Sequence, residues 1–330
     1  MVILGIETSC DETAAAVVRD GKDILSGVIA SQVPVHSPFG GVVPELASRM
    51  HLEYIIPVIE RALGNAAIAA KDLDAIAVTR GPGLVGALLV GLSAAKAMAY
   101  ALQKPLIPVN HLHGHIQAAF LSEDMPREPF VCLVVSGGHT ALYRVDPQGD
   151  SLLLGATRDD AAGEAFDKIA KLLGIGYPGG VAIQKLALGA NPGAIAFPRS
   201  RFEKDSLEFS FSGLKTSAAN FIRSHSAGTF ALEDFAASFQ EAVVDVLVEK
   251  SIKAAKQCGL GGIAAVGGVA ANARLRERLA GESAAENLRL YLPPVRFCTD
   301  NAVMIAAAAF RTWKRSGPAP DMLALDAFSR

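Results

Sequence analysis

At 330 residues, with 51% hydrophobic and 19% charged residues, the chain is long enough for about two domains around substantial cores, which excludes a disordered protein. Its 31 Lys and Arg against 33 Asp and Glu leave a formal net charge of -2. No global basic footprint for nucleic acid exists, and any RNA contact must come from a local patch or a partner protein.

The opening run Val2 to Ile6 reads as a strand with no basic leader before it, so a cytoplasmic protein without a signal peptide is expected. A polar turn at residues 8–12, a second strand through Val18, a turn at Asp20-Gly21 and a third strand complete a meander. A helix over 44–63, a strand at 75–78, a helix over 85–102 and a strand at 106–109 follow. The stretch 85–102 is the longest apolar one, but Gly86, Gly91, Ser93 and Lys96 interrupt it, so no membrane span is expected. The four cysteines, Cys10, Cys132, Cys258 and Cys298, form no CxxC pair, which fits a reducing compartment and gives no support to a thiolate metal site.

Three of the seven histidines then fall in His111-Leu112-His113-Gly114-His115. On a helix, His111 and His115 share one face with β-carbons about 5–6 Å apart, close enough to bind one metal ion. Two imidazoles do not complete a coordination shell, and polar contacts at a domain crossing are the alternative. Leu112 stands where a zinc peptidase of the HExxH type has its glutamate.

The opening plan returns further along. A strand from Val131 runs into Ser136-Gly137-Gly138-His139, a second covers 140–145, Pro147-Gln148-Gly149 turns the chain, and a third resumes at Leu152. Ser9 and Thr13 align with Ser136 and Thr140 at one constant offset. Helices over 163–173 and 235–257, a strand at 263–266, a helix from Asn272 and a strand near 288–290 repeat the ββαβαβ-like order. The expected fold is therefore α/β, with two lobes around a central cleft into which loops beyond the strand ends point. Residues 1–108 plus 296–330 form one lobe, and 109–295 the other, with an insertion around 181–224. This organisation resembles the duplicated ribonuclease-H-like lobes of the actin, Hsp70 and hexokinase (ASKHA) superfamily.

Certain loops suit a nucleotide. Ser136-Gly137-Gly138 follows a buried strand, and its glycines let backbone N–H groups approach an anion, although an ordinary hairpin turn reads the same way. Gly267-Gly268-Val269-Ala270-Ala271-Asn272 joins a strand to a helix start, a site for a phosphate or a nucleotide edge, with Asn272 as an N-cap otherwise. Asp167 lies on the polar face of the helix over 163–173; with Tyr177-Pro178-Gly179-Gly180 it suits ribose hydroxyls, and it is otherwise a solvated carboxylate. Asp300 precedes the apolar helix over 302–310. By default it is a cap; if that helix returns to the cleft, Asp300 completes a His-His-Asp site with positions open for substrate.

Several stretches together resemble one family. They are Gly5-Ile6-Glu7-Thr8-Ser9-Cys10-Asp11-Glu12-Thr13, Gly40-Gly41-Val42-Val43-Pro44-Glu45-Leu46-Ala47-Ser48-Arg49, Gly81-Pro82-Gly83-Leu84, Asn110 to His115, Val135 to Thr140, Phe211-Ser212-Gly213-Leu214-Lys215-Thr216 and Gly267 to Asn272. The match, nearly end to end, is to the bacterial TsaD (Gcp) family of tRNA N6-adenosine threonylcarbamoyltransferases, once named O-sialoglycoprotein endopeptidases. The resemblance implies transfer of a threonylcarbamoyl group from threonylcarbamoyl-AMP to N6 of adenosine 37 in tRNAs reading ANN codons. It implies one divalent metal ion per subunit, iron first and zinc second, on His111, His115 and Asp300. It further implies substrate contacts at Val134, Val135, Ser136, Gly137, Gly138, Asp167, Gly180 and Asn272, and a TsaB-like paralogue and a TsaE-like ATPase as partners.

Archaeal and eukaryotic relatives carry a metal-binding Tyr where this chain has Val134 and Val135, which leaves a fourth ligand unassigned. Asp11 is the candidate base or amine-orienting group, with Glu12 beside it as a second candidate or a buttress of the turn. Glu45 and Arg49 sit i,i+4 and pair with each other on one reading. Lys215 meets RNA phosphate or lies solvated. A metallopeptidase, an ASKHA small-molecule kinase and a non-enzymatic scaffold like the family's TsaB partner, which lacks the metal histidines, are the competing readings. The kinase reading lacks the usual DxGxT turn, which here is Glu7-Thr8-Ser9-Cys10-Asp11.

Overall fold

The computed structural model describes residues 1–122, 124–199, 205–225 and 229–329, and the chain divides into two compact units. In the first, β1 (Val2–Glu7), β2 (Glu12–Arg19) and β3 (Asp23–Ser31) form the antiparallel meander expected from the punctuation at Asp20-Gly21. A short α1 (Val33–His36) and the long α2 (Pro44–Ala66) lead to β4 (Ala75–Gly81); α3 (Val85–Leu102) leads to β5 (Leu106–Asn110), and α4 (His111–Ala118) starts at the next residue. Pro44 opens α2, where its missing N–H costs no hydrogen bond. β1 pairs with β4 and β4 with β5 in parallel, so the sheet runs β3-β2-β1-β4-β5. Parallel strands covered on both faces read as continuous apolar runs, as 75–78 does. Leu4, Ile6, Val17, Ile59, Val78 and Leu92 meet in this unit's core. Among the described residues α3 alone is long and apolar enough to cross a bilayer; here it packs on α2 and β4, burying Ala87, Leu88, Leu92, Ala95 and Ala99.

The second unit repeats the first. β6 (Phe130–Val135), β7 (Thr140–Val145) and β8 (Ser151–Ala156) meander, followed by α5 (Ala162–Leu173), α6 (Gly179–Leu186), α7 (Ser212–Ser224), α8 (Leu232–Cys258), β9 (Gly262–Val266), α9 (Ala273–Ala285) and β10 (Arg289–Tyr291). Its sheet order, β8-β7-β6-β9-β10, matches the first strand for strand. Each meander also carries a register shift between its second and third strands, at Val17/Val18 and at Leu142/Tyr143. The core gathers Phe166, Phe209, Phe211, Phe235 and Phe239. α6 and α7 occupy the stretch expected as an insertion around 181–224, of which residues 200–204 lie outside the described ones.

α10 (Ala302–Ser316) returns to the first unit and lies on β1. A β-carbon on Gly5 would meet the Ala302 carbonyl oxygen at 2.4 Å and the Ala306 nitrogen at 2.9 Å, so only glycine allows this approach. Its residues Ala302 to Ala309 are all buried. α4 packs on α10 as closely: a β-carbon on Gly114 would stand 2.8 Å from Ile305 Cδ1. That contact draws α4 into the first unit, which spans residues 1–121 and resumes at 300. Sequence patterning set these divisions after 108 and 295, because no periodicity signals which sheet a short connecting helix joins.

Candidate metal centre and glycine turns

Asn110 ends β5 and caps α4. Its side-chain oxygen accepts from the Leu112 and His113 N–H groups at 2.9 and 3.2 Å, satisfying donors that the helix start leaves unpaired. His111 and His115 therefore sit one turn apart on a rigid helix, both buried, while His113 faces outward. On α10 the cap is Asn301, which accepts from Met304 N at 3.0 Å, so Asp300 is not the capping residue. The Asp300 carboxylate instead approaches the imidazoles, with Oδ1 3.1 Å from His115 Nε2 and 3.6 Å from His111 Nε2. The rings cross at 80° with centroids 4.6 Å apart, and the three ligand atoms lie within 4.8 Å of one another.

A metal ion fits this set. Neither nitrogen of the buried His115 ring makes a hydrogen bond among the described residues, and the 3.1 Å approach of Asp300 Oδ1 to Nε2 lacks the alignment of one, a costly state that a cation on Nε2 relieves for that atom. Two imidazoles and a carboxylate suit iron or zinc, and three protein ligands leave coordination positions for substrate. The electrostatics agree. Burial works to lower the His111 pKa, but the Asp300 and Glu7 carboxylates outweigh it and push it up to about 9, so the site favours positive charge at its centre. Burial also works to raise the Glu7 pKa, yet the charge and hydrogen bond of His111 prevail and hold it below the ordinary carboxylate value.

Asp11 and Glu12 belong to the same unit, at the end of the β1–β2 turn. The Asp11 carbonyl oxygen accepts from Gln32 N at 3.0 Å, and its carboxylate charge bears on Glu12. Glu12 Oε1 accepts from Ser31 Oγ at 2.8 Å, whereas Oε2 is buried without a partner among the described residues. Burial, then the charges of Asp11 and Asp300, push the Glu12 carboxyl up to about 7 against the opposing hydrogen bond from Ser31.

The second unit holds the remaining nominated residues. Val134 and Val135 are strand residues of β6 with no exposed surface, so only their backbone is available to a ligand. Past them the chain turns: Ser136 N donates to the His139 carbonyl oxygen at 2.8 Å, and His139 N donates to Ser136 Oγ at 3.2 Å. Beside Gly137 and Gly138 there is open space where a β-carbon would stand, while Gly163 of α5 packs against the turn, a β-carbon there falling 2.5 Å from the Ser136 carbonyl oxygen. The turn is an open cradle braced from behind. Asp167 Oδ1 accepts from Gly179 N at 2.7 Å and so fixes the start of α6, where a β-carbon on Gly180 would stand 4.0 Å from the Phe166 side chain. Asn272 is the N-cap of α9: its oxygen accepts from Leu275 N at 3.0 Å and its amide donates to Gln240 Oε1 at 2.8 Å.

Lys215 is paired rather than solvated, its ammonium donating to Asp160 Oδ2. Asp159 next to it accepts from Phe211 N and Ser212 N at 2.8 and 3.2 Å, capping α7 from another part of the chain. Sequence reasoning assigned no role to Glu7 and Ser9, which meet the far side of His111 at Nδ1, or to Thr79, which donates to Glu7.

The two matching sheets define the class: a duplicated two-unit α/β protein. Solved structures agree on the fold. Full-length HypF in its phosphate- and nucleotide-bound form matches with a TM-score of 0.64 at 14% identity, over 96% of this chain and 47% of that one. The activator of the 2-hydroxyisocaproyl-CoA dehydratase from Clostridium difficile, with bound ADPNP, matches with a TM-score of 0.54 at 16% identity, over 96% of this chain and 97% of that one. At the level of family, the sequence model described as "TsaD: tRNA N6-adenosine threonylcarbamoyltransferase" matches residues 23–307. A protein of that name from Syntrophobacter fumaroxidans is 64% identical, covering all of this chain and 99% of its own length; one from Syntrophus aciditrophicus is 58% identical over 93% and 90%. The chain belongs to the TsaD family of tRNA N6-adenosine threonylcarbamoyltransferases.

Proposed function

We propose that the chain transfers a threonylcarbamoyl group from threonylcarbamoyl-AMP to N6 of adenosine 37 in tRNAs reading ANN codons, acting in the cytoplasm with one divalent ion, iron before zinc, on His111, His115 and Asp300. The observation that carries the metal-dependent part is the convergence of those three ligand atoms within 4.8 Å, in a chain 64% identical to a named transferase. When bound, the ion supplies Lewis acidity to a substrate oxygen. The exocyclic amine of adenosine is a poor nucleophile, so the protein must orient it and take its proton. Asp11 orients the amine, and Glu12, with its carboxyl near 7, accepts the proton as the N6–carbon bond forms. The bond from that carbon to the phosphate oxygen breaks, and AMP leaves with the electron pair. N–H groups of the Ser136-Gly137-Gly138 turn receive the phosphate charge, with Asp167, Gly180 and Asn272 beside the nucleoside.

No observation favours the competing readings. His111 is followed by Leu112 rather than a general base, and the buried Glu7 carboxylate is engaged by His111. The test is to mix the protein with threonylcarbamoyl-AMP and unmodified tRNA, alone and with a TsaB-like paralogue and a TsaE-like ATPase, and to quantify the nucleoside by mass spectrometry. Modified adenosine is expected, falling at least 100-fold in His115→Ala. Its absence in every combination contradicts the proposal, and equal yields from wild type and variant contradict the metal assignment.

A further inference from the structure

Behind the nitrogens that face Asp300 lies a polar group that no reaction step uses. His111 Nδ1 is 3.1 Å from Glu7 Oε2 and 3.1 Å from Ser9 Oγ. The same Glu7 Oε2 accepts from Thr79 Oγ1 at 2.6 Å, and Glu7 Oε1 accepts from Ser9 N at 2.5 Å. Glu7 has no exposed surface, and its one ion-pair partner among the described residues is His111; no Lys or Arg answers its charge.

A carboxylate accepts only, so the contact with Oε2 requires the His111 proton to be on Nδ1. In the neutral ring, the form that ligates a metal, this leaves the lone pair on Nε2, the nitrogen beside Asp300. The charge count points the same way. A fully buried carboxylate without a cation is strongly destabilised. Glu7 brings one negative charge against His111, and a divalent ion on that ring answers it.

We propose that Glu7, held by Thr79 and Ser9, is a positioning residue for the metal centre: it fixes the tautomer and orientation of His111 and supplies half of the counter-charge for the ion. This rests on the metal site proposed above and deepens it. Carboxylate–histidine–metal relays of this kind raise the basicity of the ligating nitrogen, and their loss typically weakens metal binding 10–100-fold. Thr79 holds Glu7 as Glu7 holds His111, so its loss acts in the same direction with a smaller effect.

The probe is cobalt(II), titrated anaerobically into apo wild type, Glu7→Gln and Thr79→Val, with the visible ligand-field spectrum and calorimetry as readouts and thermal melting to check the fold. Wild type is expected to bind one equivalent. Glu7→Gln is expected to bind about 10–100-fold more weakly with a shifted spectrum, and Thr79→Val several-fold more weakly. In the transfer assay Glu7→Gln is expected to lower kcat at saturating metal while leaving KM for threonylcarbamoyl-AMP unchanged. Folded Glu7→Gln with wild-type affinity and spectrum overturns the proposal. If Glu7→Gln does not fold, unchanged affinity and spectrum in Thr79→Val do so instead. Failure of wild type itself to bind cobalt overturns the metal reading, and this inference with it.

Discussion

At the scale of single residues, the buried Glu7 and half-buried Glu12 of the first unit do different work because their surroundings differ. Glu7 accepts hydrogen bonds on both oxygens and faces an imidazole; Glu12 accepts one from Ser31 and leaves a buried oxygen unmatched. Glu12 therefore favours its neutral form in the fold, at about 7 against an ordinary 4.5. Below about pH 4.5 the folded and unfolded states are both protonated there. Between 4.5 and 7 the unfolded chain releases the proton first, so stability falls as pH rises through that window. In chelator-treated protein, denaturant titrations should show Glu12→Gln to be more stable than wild type at pH 8, by on the order of 1–2 kcal/mol after solvent screening, with the difference vanishing near pH 4. A difference that is the same at both pH values contradicts this assignment. The role of Glu7 was invisible in the sequence for a simple reason. Thr79 reaches it only because Ile6 pairs with Val78 across two parallel strands, a register that no local pattern encodes.

At the scale of elements, two close approaches bring His111, His115 and Asp300 together: α10 onto Gly5 and α4 onto α10 at Gly114. Gly5→Ala should push α10 away and lower stability by about 1–3 kcal/mol in denaturant unfolding. It should also weaken metal binding, although the residue touches no ligand; unchanged stability would show that the helix has room to shift. α7 shows what periodicity misses. Its N-cap residue, Phe211, has no polar side chain, and the cap comes instead from Asp159. Asp159→Ala should cost about 1–2 kcal/mol, read by thermal melting of the second unit, and wild-type stability would exclude the cap. The HxxxH spacing, the Ser9/Thr13 and Ser136/Thr140 correspondence and most long elements were legible in the sequence, because each is a local pattern or a repeat of one. α6 and α7 were not, because the carboxylates that start them, Asp167 and Asp159, lie outside the helices themselves.

At the scale of the whole molecule, one ββαβαβ-like plan has been used twice, and the copies have diverged in chemistry rather than topology. The sheet orders are identical, and the meander turns correspond at one sequence offset, Ser9 to Ser136 and Thr13 to Thr140. The first copy has buried its turn carboxylate, Glu7, against the histidine helix. The second has the buried Val134 at the matching place, and its glycines with open space, Gly137 and Gly138, stand where the first has Cys10 and Asp11. The central claim is that the first copy holds a divalent ion on His111, His115 and Asp300. Anomalous X-ray diffraction at the iron or zinc edge, from metal-loaded crystals, tests it most directly. One peak per chain is expected, about 2.0–2.2 Å from both Nε2 atoms and an Asp300 oxygen. A fully loaded crystal with no peak there, or with its peak on other side chains, contradicts it.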